Sequence, residues 1–323
     1  MFAPLLRSAA CGVVVVGLAA CPTPPVVLGE GEGEGEGEEG EGEGESCVVD
    51  DNTGFPAPLA SRTDRIGSST TLDIAAWNIR NFPRAGSTVS TVADVITSLD
   101  LDLIALEEME DEDSFNELLA RLPEHEGLLS TDTYSDGSYQ KLAFIYRCGR
   151  LTPTSDTLIF TGDGFNFPRP PMQVQFHYDD GDKAFDFIAI AVHLKAQEDA
   201  ESAARRRASF ISLQTYVNSL VEGDGVDEIV ILGDFNEALD NPNWAPFLDT
   251  SKYVVRTQPL FSAGDASFIS AGNVILDHIV TTRAFDDEVG AGTAIIPRVD
   301  SDVANYRNDV SDHRPVALIL RGL

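Results

Sequence analysis

Near-continuous apolar runs of four to eight residues recur along the chain: Leu72–Trp77, Leu103–Leu106, Leu142–Tyr146, Phe185–Val192, Glu228–Leu232, Val274–Val280 and Val316–Leu320. Strands covered on both faces read this way, because neither side can be polar. Helical patterns lie between them. Val89–Leu99 puts Val92, Val95, Ile96 and Leu99 on one stripe, Ser114–Leu122 follows the acidic turn Asp111–Asp113, and Asp199–Val221 carries Phe210, Leu213, Val217 and Leu220 at helical spacing. Strands interleaved with helices over residues 63–323 predict one α/β (α+β) domain of ordinary size. No short fixed period repeats, which excludes a solenoid.

Six of these segments end in, or contain, polar residues of a narrow kind. Trp77 runs into Asn78-Ile79-Arg80-Asn81, Leu106 into Glu107-Glu108, Val192 into His193, and Leu232 into Gly233-Asp234-Phe235-Asn236. Asp277 lies inside the run near Ile275, and Ser311-Asp312-His313 precedes the last run. One polar strand end is loop chemistry. Six drawn from Asn, Glu, Asp and His predict side chains converging on one rim, where oxygen ligands for a hard cation and imidazoles for proton transfer can be assembled.

The first 62 residues read differently. Arg7 precedes an apolar stretch, Ala9–Ala20, too short to span a bilayer, and Leu18-Ala19-Ala20-Cys21 resembles a bacterial lipobox. Residues 1–21 are therefore expected to be a lipoprotein signal peptide with lipidation at Cys21. Pro22 follows where an inner-membrane retention signal would carry Asp, so the outer membrane or cell surface is the expected location. Residues 22–46 hold the near-strict Gly-Glu alternation of 29–44, which has nothing apolar to bury and self-repels, as a tether does. Residues 47–62 lead into the domain. An oxidising compartment would let Cys47 and Cys148 form a disulfide, at a separation that sequence does not give.

Charge narrows the function. The chain has 53 acidic and 22 basic residues, a formal net charge of −31. Without Arg7 and the nine glutamates of the tether, 44 acids still face 21 bases. A protein gripping nucleic acid through a broad basic surface is excluded, so an anionic substrate must be met locally and with the help of cations.

Ala76-Trp77-Asn78-Ile79-Arg80-Asn81-Phe82, Ile104-Ala105-Leu106-Glu107-Glu108, Val192-His193-Leu194-Lys195, Gly233-Asp234-Phe235-Asn236, Leu276-Asp277-His278-Ile279 and Ser311-Asp312-His313-Arg314-Pro315 stand in the order of the endonuclease/exonuclease/phosphatase superfamily. The chain resembles its DNase I-like branch over about Leu72 to Leu320. The resemblance implies a four-layer αββα sandwich and divalent-metal phosphoester hydrolysis, with Mg2+ expected and Ca2+ or Mn2+ as alternatives. It implies Glu108 as metal ligand, Asn78 orienting that carboxylate or the phosphate, and Asp312 as a further metal- or water-binding acid. Asp234 and Asn236, expected to alternate along an extended segment, would position or deprotonate the attacking water and hold a phosphoryl oxygen. His193 and His313 would flank the phosphate, Asp277 would pair with His313, and Arg80 would meet phosphate.

Glu107 stands where many relatives have Gln, which leaves open which glutamate points inward. Two departures bear on substrate. The DNase I branch pairs its first histidine with a glutamate where this chain has Gln140 or Lys141. It also carries an arginine for the DNA groove where this chain has Glu110. Arg205-Arg206-Arg207 is the one basic cluster, expected to support the site through one member or to lie on a solvated helix face. The expected activity is a monomeric, tethered nuclease for DNA or RNA. The alternatives are a phosphodiesterase or phosphatase for lipid headgroups or small phosphoesters, for which Phe165-Asn166-Phe167 is the only aromatic candidate, and an inactive binding lipoprotein.

Overall fold

A computed structural model of the protein describes residues 55–223, 225–270 and 272–321. They belong to one unit, Glu43–Leu323, whereas the unit Met1–Gly42 lies outside the described residues. Cys21, Cys47 and the Gly-Glu stretch therefore lie outside the description as well. Cys148 is disulfide-bonded, to a partner outside the described residues.

Among the described residues, twelve strands form two six-stranded sheets. They are β1 Leu72–Phe82, β2 Leu103–Met109, β3 His125–Leu129, β4 Lys141–Arg147, β5 Leu151–Leu158, β6 Met172–Asp179, β7 Ala184–His193, β8 Ile229–Asp234, β9 Tyr253–Val255, β10 Asp277–Thr282, β11 Gly292–Ile295 and β12 Val316–Leu320. The first sheet runs β11-β12-β1-β2-β4-β3 and the second β5-β6-β7-β8-β10-β9. Pairing is parallel for β1 with β2 and for β7 with β8. Helices α1 Thr88–Leu99, α2 Glu112–Ala120 and α3 Ala200–Val221 confirm the three periodic segments to within two residues at each end. Among the described residues no helix is long and apolar enough to cross a membrane.

Strand parity builds the layers. Leu72, Ile74, Ala76, Leu103 and Ala105 of the first sheet meet Val174, Phe176, Ala189, Ala191, Val230 and Leu232 of the second in one buried core. The alternate residues Ala75, Trp77, Ile104 and Leu106 bury against Val92, Val95 and Ile96 of α1 and Phe115 and Leu118 of α2. On the second sheet, Ile190, Val192 and Ile231 bury against Phe210, Leu213 and Val217 of α3. This is the four-layer αββα sandwich. Both faces of the central strands are covered, which is why their sequences do not alternate.

The lead-in residues bind the body: the Leu59 amide donates to Asp94 Oδ1 at 2.8 Å, and the Arg62 guanidinium pairs with Asp94 at 2.5 Å.

Candidate active site

Continuing the inward-facing positions of five strands past their last apolar residue gives Asn78, Glu107, His193, Asp234 and Asp277. Register aligns them: Asn78 opposite Glu107, His193 opposite Asp234, and Asp234 opposite Asp277. The polar cluster is thus the rim of the inter-sheet core, where the apolar filling stops. Above it opens a cleft of about 870 Å³ lined by Arg80, Glu108, Arg169, His193, Asp234, Asn236, Asp312 and His313.

Parity answers which glutamate points inward. Glu107 continues the row Leu103, Ala105 and is fully buried, with neither carboxylate oxygen bonded among the described residues. Glu108 would face outward, but its φ of 65° places it in the left-handed region, and a register shift interrupts the β2 ladder there. The twist swings its carboxylate into the cleft, where Oε1 accepts from Asn78 Nδ2 at 3.2 Å and Oε2 from the Asn81 amide at 3.0 Å. Such backbone strain is characteristic of functional sites. Asn78 Nδ2 also donates to Asp234 Oδ2 at 3.1 Å, and its Oδ1 accepts from the Arg80 amide at 2.9 Å. Asn78 therefore fixes two carboxylates from behind the cleft.

Asp234 and Asn236 do not lie on one extended segment. Asn236 has a φ of 51°, and its amide donates to Asp234 Oδ1 at 2.8 Å, closing a side-chain turn that keeps both residues in the cleft. Phe235 points away into the α3 layer as expected. At Gly233, whose φ is 137°, an added Cβ would lie 2.0 Å from the Val192 carbonyl oxygen and 2.9 Å from Glu107 Oε1.

His313 sits on the loop before β12. The loop is pinned where Ser311 Oγ donates to the Asn78 carbonyl at 2.6 Å and accepts from the His313 amide at 2.9 Å. His313 Nδ1 donates to Asp277 Oδ2 at 2.8 Å, and Nε2 faces Asp234 Oδ2 at 4.0 Å. Burial pulls the imidazole pKa down, but Asp277, Asp234 and Asp312 outweigh it and raise it to about 9. Burial, then the charge of Asp277, pushes Asp234 up to about 7 against the opposing pull of His313. Burial and the charges of Asp277, Asp234 and Glu108 hold Glu107 well above the usual carboxylate range.

His193 has a different partner from the one the DNase I resemblance implies. Arg169, in the loop between β5 and β6, points Nη2 at His193 Nε2 at 3.1 Å and donates to Gln140 Oε1 at 3.1 Å. A guanidinium only donates, so Nε2 accepts and the ring proton sits on Nδ1, which is buried without a partner among the described residues. Burial and the Arg169 charge push the His193 pKa well below the ordinary value, and His193 is neutral. The sequence reading missed Arg169. It lies in an aperiodic loop, and its only signal is Pro170-Pro171, which makes the following backbone stiff. Arg80 and Asp312 face each other, Nη1 to Oδ2 at 2.7 Å, so the expected phosphate cation and the expected ligand neutralise one another. Arg206 is the arginine of its cluster that supports the site: it is buried, with Nε on Glu237 Oε2 at 2.9 Å. His278 is a packing residue, bonded to Thr257 Oγ1 at 2.7 Å and to the Glu237 carbonyl at 3.0 Å.

The donor set fits a hard divalent cation. Glu107 and Asp277 Oδ1 are buried and unbonded beside Asp234 and Glu108, a concentration of negative charge that only protons or a cation can relieve. Carboxylate and amide oxygens suit Mg2+, Mn2+ or Ca2+ rather than softer metals. Ligand atoms of Asp234, Asp277 and His313 lie within 4.8 Å of one another, a spacing a cation can bridge. Because the His313 Nδ1–H already donates to Asp277, these two could act as an acid-base pair, which leaves Glu108 on the cleft wall as the residue that could hold a cation.

Residues 75–313 match the Endonuclease/Exonuclease/phosphatase family. No curated protein sequence matches the chain. Several solved structures share the fold. The mannosyl-6-phosphatase of Bacteroides thetaiotaomicron is 14% identical with a TM-score of 0.57, over 77% of this chain and 99% of that one. Truncated TDP2 of Caenorhabditis elegans is 13% identical with a TM-score of 0.57, over 77% and 97%. The human Nocturnin catalytic domain is 15% identical with a TM-score of 0.57, over 81% and 98%. With the family match spanning most of the chain and the polar rim in its expected place, the chain belongs to the endonuclease/exonuclease/phosphatase family and is a phosphoric-ester hydrolase.

Proposed function

We propose that the protein is a divalent-cation-dependent nuclease, exported and held at the outer membrane or cell surface by lipid on Cys21, with residues 22–46 as the tether. The carrying observation is the buried His313–Asp277 pair, 4.0 Å from Asp234, in a cleft whose opposite wall presents Arg169 beside His193. Asp234, with a pKa near 7, accepts a proton from the attacking water. His313, oriented by Asp277, holds its proton on Nε2 toward the phosphoryl group and can pass it to the leaving oxygen. Asn236 on the cleft wall offers an amide to a phosphoryl oxygen, and Arg169 brings a positive charge that no carboxylate of the described residues neutralises. Glu108, with Asp312 nearby, would hold the cation, which when bound neutralises phosphoryl oxygens.

A second reading, hydrolysis of a small phosphoester, draws support from Glu110. Gln140 Nε2 donates to its Oε1 at 3.2 Å and Asn81 Nδ2 also bonds it, which fixes an acid at the mouth against a duplex. A fold neighbour is a mannosyl-6-phosphatase. The test incubates the protein with Mg2+ and supercoiled plasmid, a single-stranded oligonucleotide, or mannose 6-phosphate, beside EDTA and His313→Ala controls. Metal-dependent cleavage of either nucleic acid, lost in the variant, supports the nuclease. Phosphate release from the sugar alone replaces it with the second reading.

A further inference from the structure

Most lysines and arginines of this acidic protein are neutralised by a carboxylate. A lip formed by Arg169 of the cleft lining, with Lys195 and Arg205 beside it, is not. Arg169, Lys195 and Arg205 have no carboxylate within ion-pair distance among the described residues, and Lys195 Nζ has no hydrogen bond there either. Arg206 Nη1 holds the Lys195 carbonyl at 2.8 Å and the Gln197 carbonyl at 2.6 Å, which ties this segment to the cleft wall. Burial and then the charges of Arg205, Arg169 and Arg206 lower the Lys195 pKa, so these cations press on one another. Asp199 reaches Lys195 with an opposite charge, but its carboxylate is engaged by the Glu201 and Ser202 amides at the start of α3. Like charges crowded without a counter-ion are destabilising on their own, and a bound anion relieves them.

An aromatic ring completes the lip. Phe165 is 60% exposed, the most exposed large apolar side chain among the described residues. The Arg205 guanidinium lies 4.5 Å from its ring centroid, and Arg205 Nε donates to the Phe165 carbonyl at 2.5 Å. Phe167, two residues on, is buried and stacked on Phe160 at 4.5 Å, so the loop is anchored while the Phe165 ring stays exposed. One exposed ring anchored by a guanidinium is too small for membrane insertion. It offers a flat face for a base.

We propose that Lys195, Arg205 and Phe165 form a subsite for the nucleotide flanking the scissile phosphate, the two cations taking its phosphate and the Phe165 ring its unpaired base. The inference rests on the nuclease reading and narrows it to single-stranded nucleic acid, since a paired base cannot stack on a side chain.

The test uses the full chain with Mg2+ and two substrates: a single-stranded 12-mer, and bis(p-nitrophenyl) phosphate, which has one phosphodiester and no flanking phosphate or base. Phe165→Ala is expected to raise KM for the 12-mer about tenfold, in line with loss of one base stack. Lys195→Gln with Arg205→Gln is expected to raise it about tenfold and to reduce the salt dependence of its logarithm by about 0.7 or more. Turnover of the aryl diester is expected to stay within twofold. A 12-mer KM unchanged in these variants overturns the subsite and leaves the nuclease reading standing. Equal losses on both substrates overturn it as well, because the residues would then act on the catalytic centre. If the unaltered protein cleaves the diester but no oligonucleotide, the nuclease reading fails and the subsite with it. Loss of binding to phosphatidylglycerol vesicles in the variants, with 12-mer cleavage intact, would assign the lip to a membrane surface instead.

Discussion

Asp277→Asn tests the acid-base pair most directly. The substitution keeps the shape of the side chain and removes the charge that most strongly opposes burial at His313. With a pKa of about 9, about 99% of His313 carries its proton at pH 7. Returned to the ordinary value of 6.5, about a quarter would. Population alone therefore accounts for about a fourfold loss. An amide also offers the Nδ1–H only a neutral, weaker acceptor and holds the imidazolium less firmly in place, and losses from misoriented general acids are about 10²- to 10⁴-fold. A kcat reduced a hundredfold or more is thus expected, and most of it must come from orientation. The pH profile carries the second readout. Asp234 must be ionised and His313 protonated, so with limbs at about 7 and about 9 the optimum lies near pH 8. In Asp277→Asn the alkaline limb should move down toward 6.5 or below. Cleavage of the single-stranded 12-mer, whose alkoxide leaving group needs the proton, from pH 5 to 10, with a thermal melt to verify folding, measures both. A variant that loses less than tenfold, or keeps its alkaline limb near 9, would refute the pairing argument.

Gly233→Ala should cost about 3 kcal/mol or more, because a Cβ at a φ of 137° would lie 2.0 Å from the Val192 carbonyl oxygen; chemical denaturation measures it, and a loss under 1 kcal/mol would contradict the tight packing behind the site. Tyr306→Phe removes a hydroxyl that accepts from Trp77 Nε1 at 3.0 Å and donates to the His313 carbonyl at 2.5 Å, so a loss of about 1–3 kcal/mol is expected, with kcat changed less than tenfold if that hydroxyl only supports the loop. Mg2+ at a hundred times its dissociation constant should stabilise the fold by about 2.7 kcal/mol, read as a rise in Tm that EDTA reverses. Part of that gain is relief of repulsion at Glu107, so Glu107→Gln should raise the metal-free Tm at pH 8 and shrink the rise on adding Mg2+.

Unbroken apolar runs ended by Asn, Glu, Asp and His were enough to read from the sequence an α/β domain with a polar rim, because burial on both faces and the end of the core are both written locally; the sandwich itself was implied by the family resemblance. The same holds for α3, whose stripe Phe210, Leu213, Val217 buries as its spacing requires. The edge strand β5 and its neighbour β6 were not legible: β5, Leu-Thr-Pro-Thr-Ser-Asp-Thr-Leu, is largely exposed and owes its conformation to its pairing with β6. Tertiary structure alone decided three features of the site. A left-handed residue turns Glu108 into the cleft and leaves Glu107 on the buried row, which no periodicity reveals. Arg169 reaches His193 from a loop 24 residues away in sequence, and the pairing of Arg80 with Asp312 joins opposite ends of the domain. Sequence determines what each strand must bury. Which charges meet depends on where two sheets and their loops converge, a long-range property that no local pattern encodes.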